Sequence, residues 1–140
     1  MDNLDAEQRR AAMRAVRSRD TTPEIVVRRI AHRLGLRFRL NRRDLPGKPD
    51  LVLPRHRLAV FVHGCFWHRH NGCPRAKTPR TRVEYWTAKF DRTVARDAAA
   101  AEALEGTGWR VLVLWECRLR EPGYVAGALL ANAADRRSRG

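Results

Sequence analysis

Pro49-Asp50-Leu51-Val52-Leu53-Pro54-Arg55-His56-Arg57-Leu58-Ala59-Val60-Phe61-Val62-His63 reads as two apolar strands folded back on each other. Residues 51–53 and 58–62 are aliphatic or aromatic, and the basic Pro54-Arg55-His56-Arg57 between them has the length of a tight turn. The pattern predicts strands over residues 49–53 and 58–63. With the hairpin centred on the His56-Arg57 step, Asp50 opposes His63, Leu51 opposes Val62 and Leu53 opposes Val60. Opposed residues project to the same face, so an acid and an imidazole meet at one end of an otherwise apolar hairpin. The residues alone leave two readings: Asp50 ligates a hard cation, or it caps the Pro46-Gly47 turn beside a strand-end His63. The first is the arrangement a magnesium-dependent nuclease requires. Magnesium takes few protein ligands and keeps room for water and phosphate oxygens, while a nearby imidazole moves the proton.

Beyond the second strand, Gly64-Cys65-Phe66-Trp67-His68-Arg69-His70-Asn71-Gly72-Cys73 holds two of the three cysteines and, with His63, three of the five histidines. Cys65, His70, Cys73 and the distant Cys117 supply three thiolates and one imidazole, a set suited to tetrahedral zinc. His68 is an alternative to His70 in that set and equally suits catalysis or DNA contact. Three cysteines cannot all pair, which fits thiolates on a metal in a reducing cytoplasm better than a disulfide scaffold. A deaminase-type zinc is excluded, since neither His-x-Glu nor Pro-Cys-x-x-Cys occurs.

Upstream, Thr21-Thr22-Pro23-Glu24 is a helix start, with Glu24 placed either as a cap or as a site residue. Val26, Val27, Ile30, Ala31 and Leu34 follow at helical spacing and Gly35 ends the run. A short alternating strand is expected at Arg37-Phe38-Arg39-Leu40. Residues 64–80 read as a metal-rich loop, and a long helix over 82–104 presents Val83, Trp86, Phe90, Val94 and Ala98 or Ala101 on one face. On that reading Trp86 is either helix core or a contact residue. Residues 109–115 form an apolar strand covered on both sides, and a last helix covers 124–136. The order helix, three strands, helix, strand, helix predicts an α/β (α+β) mixed sheet with helices on both faces.

The chain has 140 residues, enough for one domain, and Lys and Arg exceed Asp and Glu by 29 to 15, a net charge of +14. Such a field attracts nucleic acid with a steep salt dependence. Four tryptophans speak against a ribosomal filler, because aromatics in basic proteins stack on or wedge between bases. Residues 1–20 carry Arg9, Arg10, Arg14, Arg17 and Arg19 and read as a basic arm or a frayed terminus. No apolar run reaches transmembrane length and the start is unlike a secretory signal, so the expected place is the cytoplasm, at the nucleoid of a prokaryote.

Met13-Arg14 to Arg19-Asp20-Thr21, Leu45-Pro46-Gly47-Lys48-Pro49-Asp50, Val62-His63-Gly64-Cys65-Phe66-Trp67-His68, Arg96-Asp97, and Gly108-Trp109-Arg110-Val111 through Trp115-Glu116-Cys117 occur in one order over about residues 10–120. In that order and spacing the chain closely resembles the very-short-patch-repair (Vsr) mismatch endonucleases. The resemblance implies a single-domain, restriction-endonuclease-like core, a variant of the PD-(D/E)XK nucleases, over residues 21–140 with a zinc-stapled loop. It implies Asp50 as principal magnesium ligand with the backbone carbonyl of Val62, His63 and Glu24 acting on the cation through water, and His68, oriented by Asp97, as the base. Cys65, His70, Cys73 and Cys117 match the zinc site. Phe66, Trp67 and Trp86 match the aromatics that wedge into the duplex, with Met13 and Arg14 as further DNA contacts. The implied activity is a nick 5′ to the thymine of a T:G mismatch in double-stranded DNA, beginning repair of deaminated 5-methylcytosine, by a monomer followed by downstream repair proteins. Two positions depart from the family pattern: Val62 stands where some relatives carry Thr, and Asn71-Gly72 precedes Cys73 where some have one residue. The rival expectations are a zinc-stabilised DNA-binding protein without activity and a restriction-type nuclease that cuts both strands of paired DNA.

Overall fold

Helix α1, Thr22–Arg33, buries Val27 and Ala31 and ends where the sequence calls for glycine. Gly35 takes φ 75°, its N–H donates to His32 O at 3.0 Å, and Leu36 N–H donates to Ala31 O at 3.1 Å. These are the paired bonds that close a helix on a left-handed residue. The chain is described here from a computed structural model over residues 22–139, with side chains through residue 133. The expected basic arm over residues 1–20, with Met13, Arg14 and the Thr21 cap position, lies outside the described residues.

Strands β1 (Leu51–Leu53) and β2 (Leu58–His63) pair antiparallel, and β2 pairs in parallel with β3 (Arg110–Trp115), giving the sheet order β1-β2-β3. The hairpin register differs from the expected one. Leu51 faces Val60, Val52 faces Ala59 and Leu53 faces Leu58, so the centre lies at Arg55-His56 and Asp50 does not oppose His63. The cause is the turn: Pro54–His56 winds into one 3-10 turn, and Arg57, left-handed at φ 48°, donates its N–H to Pro54 O at 3.1 Å. Because side chains alternate with period two, this two-residue shift leaves Asp50 and His63 on one face. They stand diagonally rather than opposite.

The strand expected at residues 37–40 is reduced to a single bridge, with Arg39 and Val52 exchanging hydrogen bonds of 2.8 and 3.0 Å. Asn41, at φ 59°, turns the chain away before a second pair forms. Only two of the three strands expected before the long helix therefore exist as ladders. The metal-rich loop, in turn, is more ordered than a loop: Cys65–His68 makes a short helix, α2, and Pro74–Ala76 a 3-10 turn.

Helix α3, Val83–Gly106, crosses between the parallel strands. Its inward stripe is the expected one only at Trp86, Phe90 and Ala101. Val83 and Val94 are 47 % and 46 % exposed and Ala98 is exposed, whereas Trp86, Phe90, Thr93, Asp97, Ala100 and Leu104 turn inward. A charged residue on the inner face misled the apolar pattern, and that residue belongs to the site. Helix α4, Tyr124–Arg139, closes the fold, with the Tyr124 hydroxyl accepting Trp115 N–H at 3.1 Å.

The core lies on one side of the sheet, where Leu51, Leu53, Leu58, Val60 and Leu114 pack with Val27 and Ala31 of α1 and Val125 and Leu129 of α4. Each of the valines and leucines contributes about 1.5–3 kcal/mol on burial. By alternation Val52, Ala59, Phe61, His63, Val111 and Val113 face the other side, toward α3. There Gly47, at φ 75°, permits close approach: a Cβ on it would sit 2.7 Å from Ala100 Cβ. Among the described residues no helix is long and apolar enough to cross a membrane.

Candidate active site

A cavity of about 830 Å³ opens at the carboxyl ends of the parallel strands, the usual place for a site in sheets of this kind. Glu24, Asp50, Val62, His63, His68 and Asp97 all line it, contributed by α1, the β1–β2 hairpin, α2 and α3. Asp50 N–H donates to Val60 O at 2.9 Å, and its carboxylate takes the place of the next ladder acceptor, receiving Val62 N–H at 2.6 Å. A residue's N–H and C=O leave a strand on the same side. The Val62 carbonyl therefore lies along the edge that Asp50 occupies, and the Val-for-Thr difference is immaterial to a backbone ligand.

Burial, with the Glu24 carboxyl as neighbour, pushes Asp50 up to about 7, against the pull of the Val62 N–H. Glu24 is itself only 5 % exposed and is bridged by Arg28 at 3.3 Å. Two adjoining carboxyls in a partly dry pocket resist joint ionisation unless a cation joins them. With a main-chain carbonyl alongside, this donor set is hard and oxygen-only, and it fits magnesium.

The same cavity holds an imidazole pair. His63, 7 % exposed, stacks on His68 with ring centroids 3.8 Å apart and planes 6° from parallel. Burial, then the neighbouring His68, push His63 down to about 4, so it stays neutral near pH 7. His68 Nδ1 lies 2.6 Å from Asp97 Oδ2, so that a neutral ring donating from Nδ1 would present its Nε2 lone pair to the cavity.

Cys65, His70, Cys73 and Cys117 form a separate cluster whose ligand atoms all lie within 4.8 Å of one another. Tetrahedral zinc with sulfur at 2.3 Å has edges of about 3.8 Å, and Cys117 Sγ lies 3.4 Å from His70 Nδ1. The residues fit zinc, with His70 rather than His68 in the set, and the two-residue Asn71-Gly72 gap is accommodated by Gly72 at φ 74°. Burial pushes the Cys65 thiol up to about 12, so without a cation it is a thiol.

One contact chain joins the two centres. Trp115 stacks on His70 at 4.2 Å and 11° and meets His63, its partner in the β2–β3 register, edge-on at 5.2 Å. Glu116 accepts Cys65 N–H at 3.1 Å and lines the cavity. The sequence carried both as part of Trp115-Glu116-Cys117, with no signal of either role.

Phe66, Trp67, Trp86 and Phe90 form an aromatic cluster with centroid spacings of 5.0 to 5.9 Å. Phe90 anchors it at 4 % exposure, while Phe66, Trp67 and Trp86 stay half-buried, and Phe66 and Trp67 line the cavity. Arg69, which the sequence did not single out, holds this edge. It donates to Phe66 O at 3.1 Å and Thr78 Oγ1 at 3.0 Å, with its guanidinium 3.9 Å above Phe90. Arg69→Ala is expected to cost about 1–3 kcal/mol at unchanged zinc content, read by urea titration; an unaltered midpoint refutes the clamp.

A family model described as "DNA mismatch endonuclease Vsr" matches residues 1–75. The chain is 48 % identical over 134 residues to "Type II nicking enzyme V.XorIIP" of Xanthomonas oryzae pv. oryzae, covering 96 % of this chain and 97 % of that one. It is 43 % identical over 119 residues to "DNA mismatch endonuclease Vsr" of Escherichia coli K12, covering 85 % of this chain and 76 % of that one. With "Type II nicking enzyme V.NmeAIP" of Neisseria meningitidis the identity is 35 % over 119 residues, 85 % and 84 % of the two chains. Matched over more than half its length by the family model and over 85 to 96 % of it by these relatives, the chain belongs to the Vsr family of DNA-cleaving endonucleases.

Proposed function

We propose that this protein nicks double-stranded DNA 5′ to the thymine of a T:G mismatch and so begins very short patch repair of deaminated 5-methylcytosine. Asp50 would hold magnesium, and Cys65, His70, Cys73 and Cys117 would hold a structural zinc. The observation that carries the reading is the gathering of an oxygen-only acid wall and an imidazole paired with Asp97 on one cavity. Bound there, magnesium supplies positive charge at the phosphate and eases ionisation of water. Asp50, with the Val62 carbonyl beside it, would hold the cation, and Glu24 would accept hydrogen bonds from water next to it. His68 Nε2 takes the proton of the attacking water, while Asp97 keeps its ring in place and stabilises the imidazolium that results. Neutral His63 backs the His68 ring and adds no competing positive charge. Phe66, Trp67 and Trp86 enter the duplex beside the mispair, whose step costs less to unstack, and weak pairing thereby becomes selectivity. One chain carries the whole set, which supports action as a monomer.

Strand-resolved cleavage of a panel of paired and mispaired duplexes with magnesium tests this. A single cut 5′ to the thymine of T:G is expected; double-strand cutting of paired DNA overturns it. A second reading, nicking at a fixed sequence whether or not it is mispaired, draws on the relative named a type II nicking enzyme. Equal nicking of matched and mismatched duplexes of one sequence would favour it. Trp67→Ala is expected to lower T:G nicking about tenfold, since a stacked base is worth ~1–3 kcal/mol, with zinc content unchanged. Undiminished nicking by that variant removes Trp67 from the wedge.

A further inference from the structure

A second, smaller cavity of about 280 Å³ shares Glu24, Lys48 and Asp50 with the catalytic one and is otherwise lined by Arg28, Asn41, Arg42, Arg43 and Pro49. Its cations are not equivalent. Arg28 is bound to Glu24, and Arg42 is held by Asp44 through two bonds of 2.7 and 2.8 Å. Arg43 and Lys48 make no ion pair with any described residue, and both are exposed. Lys48 is also backbone-strained: it sits at φ 50°, next to Gly47 at φ 75°, in a left-handed pair that costs a non-glycine residue about 1 kcal/mol or more. The surroundings impose it. Lys48 N–H donates to Leu45 O at 3.3 Å, Gly47 is pressed toward Ala100 and Phe61, and Pro49 is buried. Glycine would relax that position, yet a lysine stands there, where the two cavities meet.

We infer that Arg43 and Lys48 form a phosphate subsite that grips a backbone phosphodiester neighbouring the one cut. The acid wall of Glu24 and Asp50 repels a strand on its own, whereas two cations beside it, without an ion-pair partner among the described residues, attract the next phosphate and fix the register of the strand over Asp50. Lys48 and Arg43 are thus positioning residues, and the inference rests on the DNA-nicking reading above.

Binding of a short T:G duplex in magnesium-free buffer tests it, with single neutral methylphosphonate linkages placed in turn around the nick position. The unmodified protein should lose about five- to tenfold in affinity at one linkage near the nick. Lys48→Ala should lose a similar factor on unmodified DNA, flatten the slope of log affinity against log salt by about one, and become indifferent to that linkage. Lys48→Gly removes the charge while relaxing the backbone, so it should bind as weakly as Lys48→Ala without loss of stability, and Lys48→Arg should restore binding. Methylphosphonate and Lys48→Ala losses that simply add at every linkage overturn the inference. A wild-type protein that nicks no duplex at all overturns the nicking reading instead, and the binding data still decide the subsite.

Discussion

Asp50→Asn is expected to abolish nicking and, in the same molecule, to raise stability at pH 8. Activity should fall about a thousandfold or more, because the cation proposed to bind it would supply several kcal/mol of charge stabilisation at the phosphate. Asn keeps an oxygen for the Val62 N–H and so preserves the hairpin end. The stability effect follows from the carboxyl's raised value, about 7 against an ordinary 3.8. A group raised on folding favours the native state below its unfolded value, and that contribution disappears as pH rises through the folded one. The window is therefore about pH 4 to 7, worth at most about 4 kcal/mol and, for a carboxyl still reached by water, about 2. His63 runs the other way: lowered from 6.5 to about 4, it favours the native state above pH 6.5 and loses that contribution as pH falls through 4. In the magnesium-free protein the two slopes oppose each other between about pH 4 and 6.5. Asp50→Asn removes one of them, so its stability should climb with pH over that range while the wild type stays nearly flat. Urea titrations at pH 5 and 8 in magnesium-free buffer, paired with nicking assays, check both halves. Retained nicking denies Asp50 its role, and a variant less stable than wild type at pH 8 denies the repulsion.

Much of this site was legible in the sequence because its chemistry is local. Asp50, His63 and the run from Cys65 to Cys73 sit on one hairpin and the turn that leaves it, so spacing alone brought them near one another. The hairpin register was not legible, since Pro54-Arg55-His56-Arg57 admits two centres and only the left-handed Arg57 decides between them. The conclusion about facing survived because the error was a multiple of the strand period. Only part of the inward stripe of α3, Trp86, Phe90 and Ala101, was legible, for the opposite reason. Apolar periodicity assumes that whatever turns inward is greasy, but Asp97 and Thr93 turn inward while Val83 and Val94 face water. A helix that lines a polar cavity defeats the pattern at the residues that matter. Trp115, Glu116, Arg69 and Lys48 escaped because their roles are contacts between distant segments or a backbone angle, and neither leaves a mark in composition.

Cys117→Ser should empty the zinc site and carry the damage to the other centre. Cys65 follows β2, Cys117 follows β3, and His70 and Cys73 come from the segment between β2 and α3, so an ion held by the four would tie that segment to both parallel strand ends. With Cys65 pushed up to about 12, protons compete hard for the thiolates, and hydroxyl cannot replace sulfur as a soft ligand. Zinc content should drop from one per chain to near none, with about 3–5 kcal/mol of stability lost through the missing binding energy. Loss of nicking should also follow, about ten- to a hundredfold, although Cys117 does not line the cavity. The route is physical contact: His70 set free no longer holds Trp115, Trp115 no longer backs His63, and the His63–His68 stack loses its support. His70→Cys separates the two parts of this account. It offers four sulfurs, so zinc and most of the stability should remain, but the stacked ring is gone and nicking should still fall. Full zinc occupancy in Cys117→Ser would overturn the metal assignment, while undiminished nicking in zinc-loaded His70→Cys would show that the ion alone, and not the ring stack, holds the base in place.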